Sequence, residues 1–219
     1  MSETIIRIND SDGLISVERT VDGVKSFKQI DPNSLLDCIN RSLLRGGTAS
    51  GLLPKDCLSF AAFDNGCRDI CLFHQSDRAD VTYFGTEYKG FPLPRLVFGF
   101  RISKEKRVSS CRLGVITEKE KIKPNTPMFH YPLSNVSGFS ICTGNNSLPR
   151  CDSPHTLSSL PYHIMAMPNN NDHFNPANNK QGLEMRNLLE LLKDKEPSFY
   201  YSDILLPSGK TLNDFLKGD

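Results

Sequence analysis

Short apolar runs broken by turn residues fill the first thirty positions. Ile5-Ile6-Arg7-Ile8, Leu14-Ile15-Ser16-Val17 and Val24-Lys25-Ser26-Phe27 are rich in β-branched residues, and Asp12-Gly13 and Asp22-Gly23 supply tight turns between them. The period then changes to that of a helix. Leu35, Leu36, Ile39, Leu43 and Leu44 recur at helical spacing behind Asp31, which can cap free amides, and Pro32, which has no N–H to satisfy. Gly46-Gly47 stops the element. Residues 1–50 thus read as a strand-and-helix extension.

Leu53-Pro54 opens a section dense in strands: Cys57 to Phe63, Asp69 to Phe73, Val81 to Phe84, Arg95 to Ile102 and Val108 to Thr117. Gly66, Gly85, Gly90 and the Pro92/Pro94 pair punctuate it. Successive strands with short connections predict an antiparallel meander, because parallel neighbours need long crossovers. From Lys123 to Asp152, four prolines exclude regular helix and Asn and Gly supply turns. A stretch of that length without regular structure calls for a functional reason. Helical spacing returns from Ser153-Pro154 to about Met167, where Pro168 and three Asn end it, and again from Gly182 to Lys195, whose leucines share one face. Residues 196–219 read as an aromatic, mixed-charge tail. The prediction is an α+β chain with a meander sheet packed against helices, its main domain at 51–195.

Charge and cysteine usage narrow the function classes. With 26 basic and 25 acidic side chains the net charge is +1, which predicts neither a nucleic-acid partner nor an anionic membrane surface. The basic stretch Lys104 to Lys123 also holds Glu105, Glu118 and Glu120, and reads as solvated strand ends. No apolar run has the length of a membrane span, and Met1-Ser2-Glu3-Thr4 lacks the basic start and apolar core of a secretory signal. Seven cysteines at irregular spacing then favour reduced thiols and a cytoplasmic location over a disulfide framework. Cys67 and Cys71, with His74 nearby, miss the two-residue knuckle spacing, and a strand would turn some of those ligands away from the others. Cys151 and His155 lack a second pair. Neither a metal nor a cofactor is predicted, and there is no Gly-x-Ser-x-Gly elbow, phosphate-binding loop or repeat.

The segment Tyr131-Pro132-Leu133-Ser134-Asn135-Val136-Ser137-Gly138-Phe139-Ser140-Ile141-Cys142-Thr143-Gly144-Asn145 concentrates the candidate chemistry. It runs from a Pro-led flap through an Asn and a Gly turn to a Cys beside another Gly. A thiolate on such a loop, near backbone amides, suits thioester exchange, in which sulfur is both nucleophile and leaving group. The competing reading of Cys142 is a buried structural thiol.

Pro132, Asn135, Gly138, Ile141 and Cys142 follow the order of the His-Pro-Asn and Gly-x-Ile-Cys elements of ubiquitin-conjugating (E2) enzymes, which the chain resembles here. It is more similar to prokaryotic E2 family D, a group that includes protein B of the PRTRC genetic system. The likeness rests on Phe91-Pro92-Leu93-Pro94-Arg95-Leu96-Val97-Phe98, on Asn135-Val136, on Cys142-Thr143-Gly144 and on His173, and spans roughly residues 52 to 175. It implies a UBC-like fold and three partners: a ubiquitin-like protein, a ThiF/E1-type activating enzyme and a JAB-type protease. It also implies catalytic roles for Cys142 as acyl carrier, His173 as proton acceptor and Asn135 as oxyanion donor. Tyr131, Pro132, Thr143, Gly144 and Asn145 become the candidate substrate contacts, and Asp152 and Asp172 the candidates to activate an incoming lysine. The chain departs from the E2 pattern where Tyr131 replaces the His, and where Leu133 and Ser134 separate Pro132 from Asn135. Asn135 as a turn residue and His173 as a surface loop residue stay open. So do two rival functions, a non-catalytic scaffold and a cysteine hydrolase acting on conjugates.

Overall fold

The computed structural model describes residues 2–8, 13–44, 49–117, 121–146 and 148–218. They fall into two compact units, Met1–Ala49 and Ser50–Asp219. In the first, β1 (Ser2–Ile8), β2 (Ile15–Val21) and β3 (Val24–Ile30) form an antiparallel sheet in sequence order, followed by α1 (Pro32–Leu44). The β2–β3 turn needs positive φ twice, and Asp22 (49°) and Gly23 (84°) provide it. The Asp31 carboxylate accepts the Ser34 amide at 3.0 Å, the cap expected from sequence. Asp12 and the Gly46-Gly47 stop lie outside the described residues. On β2, Glu18 is buried and accepts from Lys25 Nζ at 2.7 Å and Arg7 Nη1 at 3.0 Å. Those bonds hold its carboxyl below the usual range.

The second unit is built on the antiparallel path β11-β12-β9-β8-β5-β4. Its strands are β4 (Cys57–Ala62), β5 (Arg68–Phe73), β8 (Arg95–Ile102), β9 (Val108–Ile116), β11 (Val136–Ser137) and β12 (Ser140–Ile141). β6 (Arg78–Tyr83) and β7 (Thr86–Pro92) form a hairpin of their own, inserted in sequence between β5 and β8. This is the expected α+β meander, with an N-terminal β/α extension, consistent with a UBC-like fold. β7 was not expected, because Gly90 reads as a break. In the structure Gly90 takes φ +55° inside the strand, beside a register shift between Ala79 and Val81, and its amide bonds the Asp80 carboxylate at 2.8 Å. A bulge absorbs the glycine.

The two faces of the sheet are covered by different elements, as the two-residue period of a strand requires. Leu96, Phe98 and Phe100 of β8 and Leu113 and Val115 of β9 pack with α2 (Leu160–Met165) and α3 (Met185–Leu192) through Leu160, Ile164, Leu188, Leu189 and Leu192. Val97 and Ile116, on the opposite face, pack with Met128, Leu212 and Phe215. The single helix expected over 153–167 is a 3-10 turn (Pro154–Ser159) followed by α2, with Pro161, which has no N–H, in its first turn.

Residues 196–218 are part of this unit rather than a tail. Tyr200 lies fully buried in a π-helical turn and donates its hydroxyl to the Pro92 carbonyl at 3.0 Å. β13 (Pro207–Thr211) then pairs with β10 (Pro127–Phe129), which itself pairs with β9. Helix α4 (Leu212–Lys217) starts with a Thr211/Asp214 capping box and buries Phe215 completely. Among the described residues, no helix is long and apolar enough to cross a membrane.

Candidate functional site

β12 continues the sheet beyond β9 through the pair Ser140–Arg112, and the Leu113 amide bonds the Phe139 carbonyl at 2.8 Å. The β11–β12 connection is the two-residue turn Gly138-Phe139, with Gly138 at φ +59°. Val136 is buried with the α2/α3 side of the core, while Phe139 packs edge-on against Phe215 at 5.2 Å. The hairpin is therefore anchored in both layers. Cys142 follows at its open end, where its amide donates to the Asn135 carbonyl at 2.8 Å and closes the hairpin.

Cys142 is exposed, whereas Cys71, Cys111 and Cys151 are buried. Burial pushes the Cys71 thiol up to about 12 and Cys111 up to about 11, so at pH 8 about 1 in 10⁴ and 1 in 10³ of them are thiolate. Brief alkylation of the native chain at pH 8, read by peptide mass mapping, is expected to modify Cys142 while leaving Cys71 and Cys111 unmodified until denaturant is added.

Asn135 sits at φ +65°, a left-handed conformation that Asn tolerates better than most residues. Its amide donates to the Asp172 carbonyl at 2.9 Å, and its side-chain Nδ2 donates to the Pro168 carbonyl at 3.2 Å. Next to it, Ser134 Oγ donates to Asn169 Oδ1 at 2.8 Å inside the protein. The Asn169 amide reaches the Thr82 carbonyl at 2.7 Å, and Tyr83 donates its hydroxyl to Asn171 Oδ1 at 2.7 Å. Asn170 closes the loop on itself, with Oδ1 accepting the Asp172 amide and Nδ2 reaching the Asp172 carboxylate. His173 comes next, exposed and at φ +57°. Asn135 thus links two distant segments, with Cys142 hydrogen-bonded to its carbonyl and the residue before His173 bonded to its amide.

The other candidates fall in different places. Tyr131 and Pro132 are buried beneath the hairpin, and burial holds the Tyr131 phenol well above its ordinary range. Thr143 is half-buried and Gly144 and Asn145 are exposed, in a turn closed by the Asn146 amide on the Thr143 carbonyl at 3.0 Å. Asp152 pairs with Lys106 at 3.2 Å and Arg150 at 3.4 Å, and the Lys106 contact is the main reason its carboxyl is held down. Of the two acids, Asp172 is the one bonded to Asn135. Among the described residues, no three His, Cys, Asp or Glu side chains converge as a metal site. Sequence reasoning took Asn169, Asn170 and Asn171 only as a helix stop. Three consecutive amide side chains that can bond nearby backbone were the signal that this loop would be rigidly built.

An antiparallel meander backed by helices is consistent with the class of UBC-like α+β folds. The chain belongs to prokaryotic E2 family D, whose family pattern matches residues 59–206. That span contains the hairpin, Cys142 and the Asn169–His173 loop. No curated protein and no solved structure matches the chain.

Proposed function

We propose that this chain is an E2-like carrier that takes a ubiquitin-like protein as a thioester on Cys142 and passes it to an acceptor. The observation that carries this reading is the exposed Cys142 at the end of a hairpin fixed in the sheet and closed by Asn135. Family membership supports an E2-like role.

In the first step the Cys142 thiolate attacks the carbonyl carbon of a thioester held by a ThiF/E1-type activating enzyme. A new C–S bond forms and the enzyme's thiolate leaves. Exchange of sulfur for sulfur needs no protonation of the leaving group when both thiols are similarly acidic. In the second step an acceptor amine attacks, Cys142 leaves as thiolate, and the proton lost by the amine passes to His173. Asn135 keeps a second Nδ2 hydrogen, beyond the one given to Pro168, to donate to the tetrahedral oxygen. A JAB-type protease that reverses the conjugation completes the proposed set of partners, in a reducing cytoplasm that keeps the thiols free of disulfides.

The test mixes the chain with a ThiF/E1-type activating enzyme, a ubiquitin-like protein and ATP, followed by a non-reducing gel. The expected result is an ATP-dependent adduct that thiols cleave, that Cys142→Ala loses, and that Cys142→Ser retains as a thiol-resistant oxyester. Two observations favour a second reading, a non-catalytic scaffold. Part of the Asn135 carboxamide is engaged by the Pro168 carbonyl, and the residue at the E2 histidine position is the buried Tyr131. Binding of either partner with no adduct under any condition would leave only the scaffold.

A further inference from the structure

A cavity of about 470 Å³ opens between the β11–β12 hairpin, β9 and the β13–α4 end of the chain. Three basic side chains line it, Arg112, His130 and Lys210, together with the hydroxyls of Ser137 and Ser140 and the ring of Phe139, and among the described residues its lining contains no Asp or Glu.

Arg112 is the built part of this cavity. Its guanidinium lies over the Phe215 ring at 5.2 Å, and Nη1 donates to the Phe215 carbonyl. Glycines stand on two sides of it. A Cβ at Gly99 would come within 3.2 Å of Nε, and one at Gly218 within 2.9 Å of Nη1. The cation is half-buried, and desolvation draws its pKa down. The carboxylate of Asp69, whose charge acts on it, is taken by Arg101 through bonds of 2.8 and 2.7 Å. Among the described residues, no carboxylate lies within ion-pair distance of Arg112. Withdrawing a charge from water is costly unless a counter-charge meets it, and here the open side of that charge faces a cavity lined by Lys210, His130 and hydroxyl donors.

We propose that this cavity binds a small phosphate-bearing molecule of mononucleotide size. The phosphate would lie among Arg112, His130 and Lys210, with Ser137 and Ser140 donating to its oxygens and a flat group lying against Phe139. Guanidinium and ammonium donors match phosphate geometry, and the volume falls within the usual range for small-ligand sites. The site is separate from the thiol chemistry proposed above, so its test does not depend on thioester formation.

The full chain is titrated with inorganic phosphate, AMP, adenosine and an oligoglutamate peptide, following calorimetry and the ligand-induced rise in Tm. AMP is expected to bind, more tightly than phosphate, with affinity falling as salt rises, and adenosine not to bind. Lys210→Glu and His130→Ala, both away from the Arg112 cradle, are each expected to weaken AMP by at least about tenfold, the scale of one lost charge-assisted hydrogen bond. The proposal is overturned if neither phosphate nor AMP binds, if adenosine binds as well as AMP, or if AMP affinity is unchanged in both variants. Tighter binding of oligoglutamate than of AMP also overturns it, and assigns the cavity to an acidic protein segment.

Discussion

A chain ended after Leu206 is expected to lose the cooperative unfolding transition of its larger unit and to be recovered mainly as aggregate. The deletion removes β13, the pairing partner of β10, and with α4 it removes Leu212 and Phe215 from the sheet face formed by Val97, Ile116 and Met128. Loss of a buried Phe side chain alone typically costs about 3–5 kcal/mol. A domain of ordinary stability has only about 5–15 kcal/mol in all, and the deletion also exposes the apolar residues that Phe215 covers. Phe215→Ala in the full chain is the graded form of the same experiment. It is expected to lower urea stability by about 3–5 kcal/mol while preserving the fold. An unchanged Tm in the truncated chain would show that residues 207–219 only rest against the sheet.

Asn135 substitutions are expected to separate the backbone role of this residue from that of its carboxamide. Its φ of +65° is open to Gly and strained for a β-branched residue. Asn135→Val should cost roughly 1–2 kcal/mol and displace both segments that the Asn135 backbone joins, so loading of Cys142 is expected to fail. Asn135→Gly retains the turn and the bonds to Cys142 and Asp172, and loses only the side-chain bond to Pro168 and the second Nδ2 hydrogen. In that variant the thioester should still form, while its discharge to an amine falls by about a hundredfold, the scale seen when one oxyanion donor is removed. Discharge at the unmodified rate in Asn135→Gly would reduce Asn135 to a turn residue and take the oxyanion step out of the proposed mechanism.

Local chemistry was enough to read much of the sheet. Arg95 to Ile102 is bounded as expected because its residues are bulky, apolar and flanked by Pro94 and a charged turn, and α3 follows from its leucines sharing one face. β7 was hidden because a glycine in a strand and a strand break look alike in sequence. What separates them is a bulge within β7 itself, where Lys89 and Gly90 stand opposite Asp80, and that is a property of pairing. The C-terminal segment was hidden for a related reason. Phe215 is apolar in any reading, but whether it is buried depends on which sheet face the earlier strands leave uncovered.

The site divides in the same way. The Pro-bounded, Gly-flanked context of Cys142 and the chain's likeness to prokaryotic E2 family D were both legible along the chain. That context already pointed to an exposed thiol, but the hairpin that presents it, held by Val136 in one core layer and Phe139 in the other, was not legible. Nor was the bond between Asn135 and Asp172, or the cavity around Arg112, whose lining runs from Ser110 to Gly218. Sequence alone determined which segments could be strand, helix or turn, because that depends on neighbours within a few residues. Which atoms are withheld from water and which distant groups meet was decided only by the packing of the two sheet faces, because burial and long-range contact belong to the folded whole.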